Sequence, residues 1–160
     1  MLGNDGLLPP GRHQVTAEDV KRHFVDGFPE ASPRRRLYAR WLRHREALVS
    51  VIRVHSQWID GSYVTSKVEP GDIDVVSLLD APEFEALAPG LQHMVASLVG
   101  GKKTREHWML DSYAVLIYPD GHALRSETDK GLAYWDKQWQ GVRDNSQLKK
   151  GYLEVKPDGA

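Results

Sequence analysis

Cysteine is absent from all 160 residues. A disulfide framework, a thiolate nucleophile and a zinc site of the cysteine type are therefore excluded, in keeping with a reducing cytosol. An excess of either charge is missing too: 21 Lys and Arg stand against 22 Asp and Glu, for a formal net charge of −1. That balance excludes a protein that grips nucleic acid by overall charge, although it leaves room for a local basic patch. No stretch approaches the roughly 18 apolar residues of a membrane span, and the start, MLGNDGLLPPGRHQVT, has no basic opening followed by an apolar core. The expectation is a soluble, cytoplasmic protein with no membrane partner. Internal repeats and low-complexity segments are lacking, and the seven His are scattered without metal-ligand spacing. What is present is apolar and aromatic: 41% hydrophobic residues, among them five Trp, six Tyr and three Phe. Such a chain is too rich in core formers to stay disordered. At this length a single domain over residues 1–160 buries roughly two thirds of the surface of its unfolded form.

Residues 1–15 hold Gly3, Gly6, Pro9, Pro10 and Gly11 and read as an irregular arm. Thr16, with Asp19 three positions on, caps a short helix that ends before Gly27 and Pro29. The clearest periodicity follows: Ser32 can cap, Pro33 suits the first helical position, and Leu37, Trp41, Leu48 and Ile52 recur at helical spacing. The other face of this long helix carries Arg34, Arg35, Arg36, Arg40, Arg43 and Arg45, read as a solvated face in preference to a nucleic-acid or partner contact. SQWID is a candidate strand, GSYVTSKVEPG a turn and loop, and DIDVVSLLD a second strand. Its run of Val75, Val76, Leu78 and Leu79 suits a strand buried on both faces, near the middle of a sheet.

Asp80, Pro82 and Glu83 then start a helix that Pro89 and Gly90 interrupt, and a further helical piece ends at Gly100. GGKKTREH reads as a basic loop, and WMLDSYAVLIYP as a third strand with Asp111 near its start. A helix from Leu124 to Gln140 contains Trp135 and Trp139, whose spacing of four marks core more readily than a base-stacking platform. A last strand, GYLEV, and a tail over residues 156–160 complete an α+β fold, a small mixed β-sheet with helices packed on it.

The chemistry concentrates in GSYVTSKVEPGDIDVV. Carboxylates at i and i+2 on a strand point to one face, so Asp72 and Asp74 can share a divalent cation. A hard cation such as Mg2+ takes oxygen ligands and binds through a few carboxylates together with substrate phosphates. Gly61 and Ser62 suit the phosphate-holding part, because glycine lets the backbone approach closely while amides and a hydroxyl donate. With 13 Asp in the chain, chance alone supplies roughly one Asp-x-Asp, whereas a Gly-Ser at the right distance upstream has a chance probability of roughly 2%. The combination, placed where a buried strand begins, is what carries meaning. Asp111, at the start of the next apolar strand, is the best placed third carboxylate; the alternative is a strand-edge acid in water. Ser62 as a hydrolase nucleophile lacks a Gly-x-Ser-x-Gly elbow.

These residues resemble the signature of the DNA polymerase beta-like nucleotidyltransferase superfamily, in which Gly-Ser precedes Asp-x-Asp and a third Asp follows one or two elements on. LPPGRH, GSYVTSKVEPGDIDVV and WQGVRDNSQLKKGYLEV are further similar to a bacterial and phage family of uncharacterised proteins with that fold. The resemblance implies a nucleotidyltransferase core in which Gly61 and Ser62 hold the triphosphate of an NTP such as ATP. It implies that Asp72 and Asp74 bind Mg2+ or Mn2+, and that Asp111 completes the metal site and activates the attacking hydroxyl. Many relatives carry an arginine soon after Gly-Ser; here the nearest base is Lys67, with Arg143, Lys149 and Lys150 as further phosphate-reaching bases or solvated surface charges. The implied activity is Mg2+-dependent transfer of an NMP from an NTP to a hydroxyl of a protein or RNA. By analogy with small members of the superfamily, it would serve a toxin–antitoxin or phage-defence module, with a partner protein encoded nearby. The alternative is a non-catalytic protein that keeps the fold and binds a partner, as an antitoxin does, or a nucleotide.

Overall fold

The computed structural model describes residues 1–142 and 145–157. In chain order the elements are β1 (Gly11–Val15), α1 (Ala17–Phe24), α2 (Arg34–Val49), β2 (Val54–Asp60), β3 (Ile73–Asp80), α3 (Ala81–Ala86) and α4 (Pro89–Leu98). After them come α5 (Arg105–Trp108), β4 (Leu110–Ile117), α6 (Arg125–Gln140), β5 (Gly141–Val142), β6 (Asn145–Lys149) and β7 (Gly151–Val155). The apolar run of β3 sits where a doubly covered strand must. The sheet order is β1-β7-β2-β3-β4, with β3 antiparallel to β2 and parallel to β4. Helices cover both faces, so the fold is α+β with a mixed sheet.

Alternation along the strands decides which helix packs where. Ile59, Ile73, Val75 and Leu153 point to one face and meet Phe24 of α1 and Leu37 and Trp41 of α2. Leu79 meets Leu48 of α2 and Val95 and Leu98 of α4 on the same side. Full burial of aliphatic side chains such as Leu37 and Leu48 contributes about 2 kcal/mol each before chain entropy is counted. Trp58, Val76, Leu78 and Val115 point the other way and are covered by Leu132, Trp135 and Trp139 of α6, which makes the two tryptophans part of the packing. No helix among the described residues is long and apolar enough to cross a membrane.

Three expectations change, and one pair of strands is added. The arm over residues 1–15 is irregular only at its start, since Gly11–Val15 forms β1, parallel to β7 from Gly11↔Gly151 to Val15↔Val155. An edge strand with alternately exposed side chains carries no apolar run to announce it. The arginines of α2 divide: Arg35, Arg36 and Arg43 are exposed, but Arg34 and Arg45 are buried. Arg45 donates to the carbonyl of Lys156, in the expected tail, whose residues 158–160 lie outside the described ones. The basic loop GGKKTREH contains a tight turn over Lys102–Thr104 and the four-residue α5. Finally, β5 and β6 pair antiparallel ahead of β7.

Candidate functional site

Register brings the acids together. In the ladder between the parallel strands, Asp74 of β3 lies beside Asp111 of β4, and Asp72 precedes Asp74 by two residues on the same face. One carboxylate oxygen from each of Asp72, Asp74 and Asp111 can be chosen so that all three lie within 4.8 Å of one another. The neighbouring apolar residues hold them there: Ile73, Val75 and Leu110 are wholly buried against α1 and α2, which pins the strand starts and turns the acids to the opposite face. Crowding leaves an electrostatic mark. Burial and then the Asp72 and Asp111 charges push the Asp74 carboxyl up to about 6, and burial with the Asp111 charge raises Asp72.

Arg105, the first residue of α5, answers that charge. Its Nε donates to Oδ1 of Asp111 at 2.8 Å and lies 2.9 Å from Oδ2 of Asp72, and its Nη2 donates to Oδ2 of Asp111 at 2.5 Å. The two carboxylates raise the guanidinium's affinity for its proton still further. The Arg105 side chain remains 51% exposed. Tyr113, two positions after Asp111, borders the same acids; burial and then the charges of Asp111 and Asp74 raise its hydroxyl.

Gly61 and Ser62 adjoin the acids. Gly61 adopts φ 88°, a region that favours glycine, and a β-carbon there would stand 2.7 Å from Oδ2 of Asp74. Asp74 therefore needs a residue without a side chain at that turn. The segment that follows is shaped from beneath by Arg34, which is fully buried. Its guanidinium donates to the carbonyls of Phe24 (3.0 Å), Ser62 (3.4 Å), Tyr63 (2.5 Å), Thr65 (2.7 Å) and Lys67 (2.6 Å). Among the described residues it forms an ion pair with no carboxylate. With these carbonyls drawn inward, the amide of Tyr63 points away from the guanidinium, since a trans peptide sets C=O and N–H in opposite directions. Burial lowers the Arg34 guanidinium to about 10, which leaves it charged at neutral pH.

Beside the same turn a buried pair links the junction of β6 and β7 to the site. Asp60, register partner of Asp74, accepts from Nζ of Lys150, which also donates to the carbonyl of Trp139 at 3.0 Å. Burial pushes the Asp60 carboxyl up to about 7 against the opposing pull of Lys150.

Of the residues singled out in the sequence, Asp72, Asp74, Asp111 and Gly61 come together, and Ser62 follows Gly61 in the turn. Lys67 is exposed, and its charge acts on Asp72. Lys149 is exposed, Lys150 is engaged by Asp60, and Arg143 lies outside the described residues. Sequence reasoning missed Arg105, Arg34 and the Asp60–Lys150 pair. Asp60 offered one signal, an acid ending an otherwise apolar strand directly before Gly61.

The chain belongs to DUF6932, a family of unknown function, which matches residues 2–156. No curated protein and no solved structure matches it.

Proposed function

We propose that the protein is a nucleotidyltransferase that moves an NMP from an NTP to a hydroxyl of a protein or RNA. One observation carries the reading: three carboxylates within 4.8 Å of one another beside a glycine turn that leaves no room for a side chain against Asp74. The donor set fits Mg2+ or Mn2+, because it consists of hard oxygens whose burial and mutual repulsion raise the pKa of Asp74 and Asp72. Asp72, Asp74 and Asp111 would hold the ion. Bound there, a divalent cation supplies charge neutralisation to a triphosphate and acidity to an attacking hydroxyl.

The chain's own residues do the rest. Gly61 admits the phosphates close to the backbone, Ser62 adds a hydroxyl donor, and Arg34 holds the turn in place without touching the substrate. Lys67 offers a positive charge at the site's border. Asp111 accepts the acceptor's hydroxyl proton as the new oxygen–phosphorus bond forms at the α-phosphate and the bond to the departing pyrophosphate breaks. The reading carries with it a cytoplasmic place of action, where NTPs are made, and a two-component module of toxin–antitoxin or phage-defence type as its setting.

One observation favours a second reading, a protein that keeps the fold and acts by binding: Arg105 occupies both oxygens of Asp111 and one of Asp72. Label transfer separates the two. The protein is incubated with each α-labelled NTP, Mg2+ and a host lysate, beside the double variant Asp72→Ala, Asp74→Ala. Catalysis predicts a labelled acceptor with the natural protein alone; label from both proteins, or from neither, would sink it.

A further inference from the structure

Three of the six carboxylate oxygens on which a metal could draw are already in use. The Arg105 fork takes Oδ1 and Oδ2 of Asp111, and its Nε also meets Oδ2 of Asp72. A guanidinium on both oxygens of Asp111 and a divalent cation at the same carboxylates compete, since two cations held a few ångströms apart repel each other. We propose that Arg105 is a tethered counter-cation that exchanges with the metal: it holds Asp72 and Asp111 until the ion loads, then turns to the triphosphate. The inference rests on the nucleotidyltransferase reading and deepens it, because it names the cation that the sequence around Gly61 and Ser62 lacks.

Three features suit Arg105 to exchange. Its side chain is half exposed, so water reaches the guanidinium although the Asp111 carboxylate beneath it is only 7% exposed, and it can leave without unpacking the core. It stands on a helix of four residues, too short to hold itself by its own hydrogen bonds. That helix lies between two backbone reversals, Gly101 with φ 69° and Met109 with φ 60°. The other cations near the acids differ: Arg34 is enclosed by carbonyls and Lys150 by Asp60 and Trp139, so neither is free to move. Lys67 is exposed but presents a point charge, where a guanidinium can grip two phosphate oxygens at once. Phosphates delivered beside Gly61 and Ser62 arrive next to the carboxylates that Arg105 has released.

The exchange predicts opposite signs for two affinities, which a merely structural role would not produce. Mn2+ alone is titrated into the full chain and into Arg105→Gln, with the free ion read by electron paramagnetic resonance; the manganese complex of inorganic tripolyphosphate is then titrated by calorimetry. Removing a half-exposed bidentate competitor should tighten Mn2+ binding about fivefold to tenfold, and removing the released guanidinium should weaken the tripolyphosphate complex by about the same factor. Arg105→Lys should fall between. Unchanged or weaker Mn2+ binding by Arg105→Gln overturns the exchange, and so does an unchanged affinity for the tripolyphosphate complex. Asp74→Asn separates this failure from the larger one: if it binds Mn2+ as well as the natural protein, or if neither binds, the metal reading itself falls and the exchange falls with it.

Discussion

The segment after β2 and the segment before β4 each depend on an arginine, and the two arginines are held by different chemistry. Arg34 is fully buried and donates to five backbone carbonyls, four of them in Ser62–Lys67. Arg105 is half exposed and donates to the carboxylates of Asp72 and Asp111. Carbonyl dipoles are part of the fold and have no other cation to choose, so Arg34 acts as scaffold. The carboxylates of Asp72 and Asp111 take a metal ion as well as a guanidinium, so Arg105 holds its place by competition. The same residue type thus makes the glycine turn rigid and the acidic side of the site exchangeable.

The largest effect should come from removing the scaffold. Arg34→Met leaves buried carbonyls without donors and should cost about 4 kcal/mol in urea unfolding. A loss below about 1 kcal/mol would show that the segment holds itself. Next comes the buried pair on the same side. Lys150→Met strands Asp60 without its partner and should cost about 3 kcal/mol, most of it recovered in the double variant Asp60→Asn, Lys150→Met. No recovery would mean that the two side chains act independently.

A smaller effect tests the packing beneath the acidic side through pH. His44 of α2 is fully buried, sets its ring edge against Trp108 of α5, and shares a hydrogen bond with the carbonyl of Leu98. Burial outweighs that bond and lowers its pKa below 6.5. The folded protein thus resists a proton that the unfolded chain accepts, and the His44 contribution is present at neutral pH and lost as pH falls below about 6.5. Asp60 and Asp74 act in the opposite direction. Their raised pKa values mean that the folded state takes up protons first, adding stability as pH falls from about 7 and 6 towards the unfolded value near 4. The difference between the natural protein and His44→Gln isolates the histidine: the melting temperature of the natural protein should drop more between pH 7 and about pH 5.5. Parallel curves would contradict the assignment.

The smallest change belongs to Arg105. Because the guanidinium is half exposed and its removal opens the Asp111 carboxylate to water, Arg105→Gln should lower the urea midpoint less than Lys150→Met does, although its Mn2+ affinity rises. A collapse comparable to that of Arg34→Met would erase the contrast between the two arginines.

Much of this was readable from the chain. The apolar run from Val75 to Leu79 announced a covered strand, and the distance from Gly61 and Ser62 to Asp72 and Asp74 pointed to the candidate site, because both are local patterns. Asp111 followed from its place at the start of a second apolar strand, and the parallel register then set it beside Asp74. The arginines were opaque for a physical reason. Arg34 looks like its neighbours Arg35 and Arg36 along the helix, and what buries it is a set of carbonyls some thirty residues downstream, between Ser62 and Lys67. Arg105 sits in a basic stretch whose four-residue helix has no period to detect, and its partner Asp72 is as distant in sequence as Lys67 is from Arg34. β1 hid because half of each turn of its pleat faces water.

The account stands on three carboxylates acting as one cation site beside Gly61. Crystals of the full chain soaked in Mn2+ with a non-hydrolysable NTP analogue, and measured at the manganese edge, test it most directly. An anomalous peak coordinated by Asp72, Asp74 and Asp111, with the triphosphate against Gly61 and Ser62, is the expected result. A nucleotide bound elsewhere, or carboxylates still closed on Arg105 with no peak between them, would contradict it.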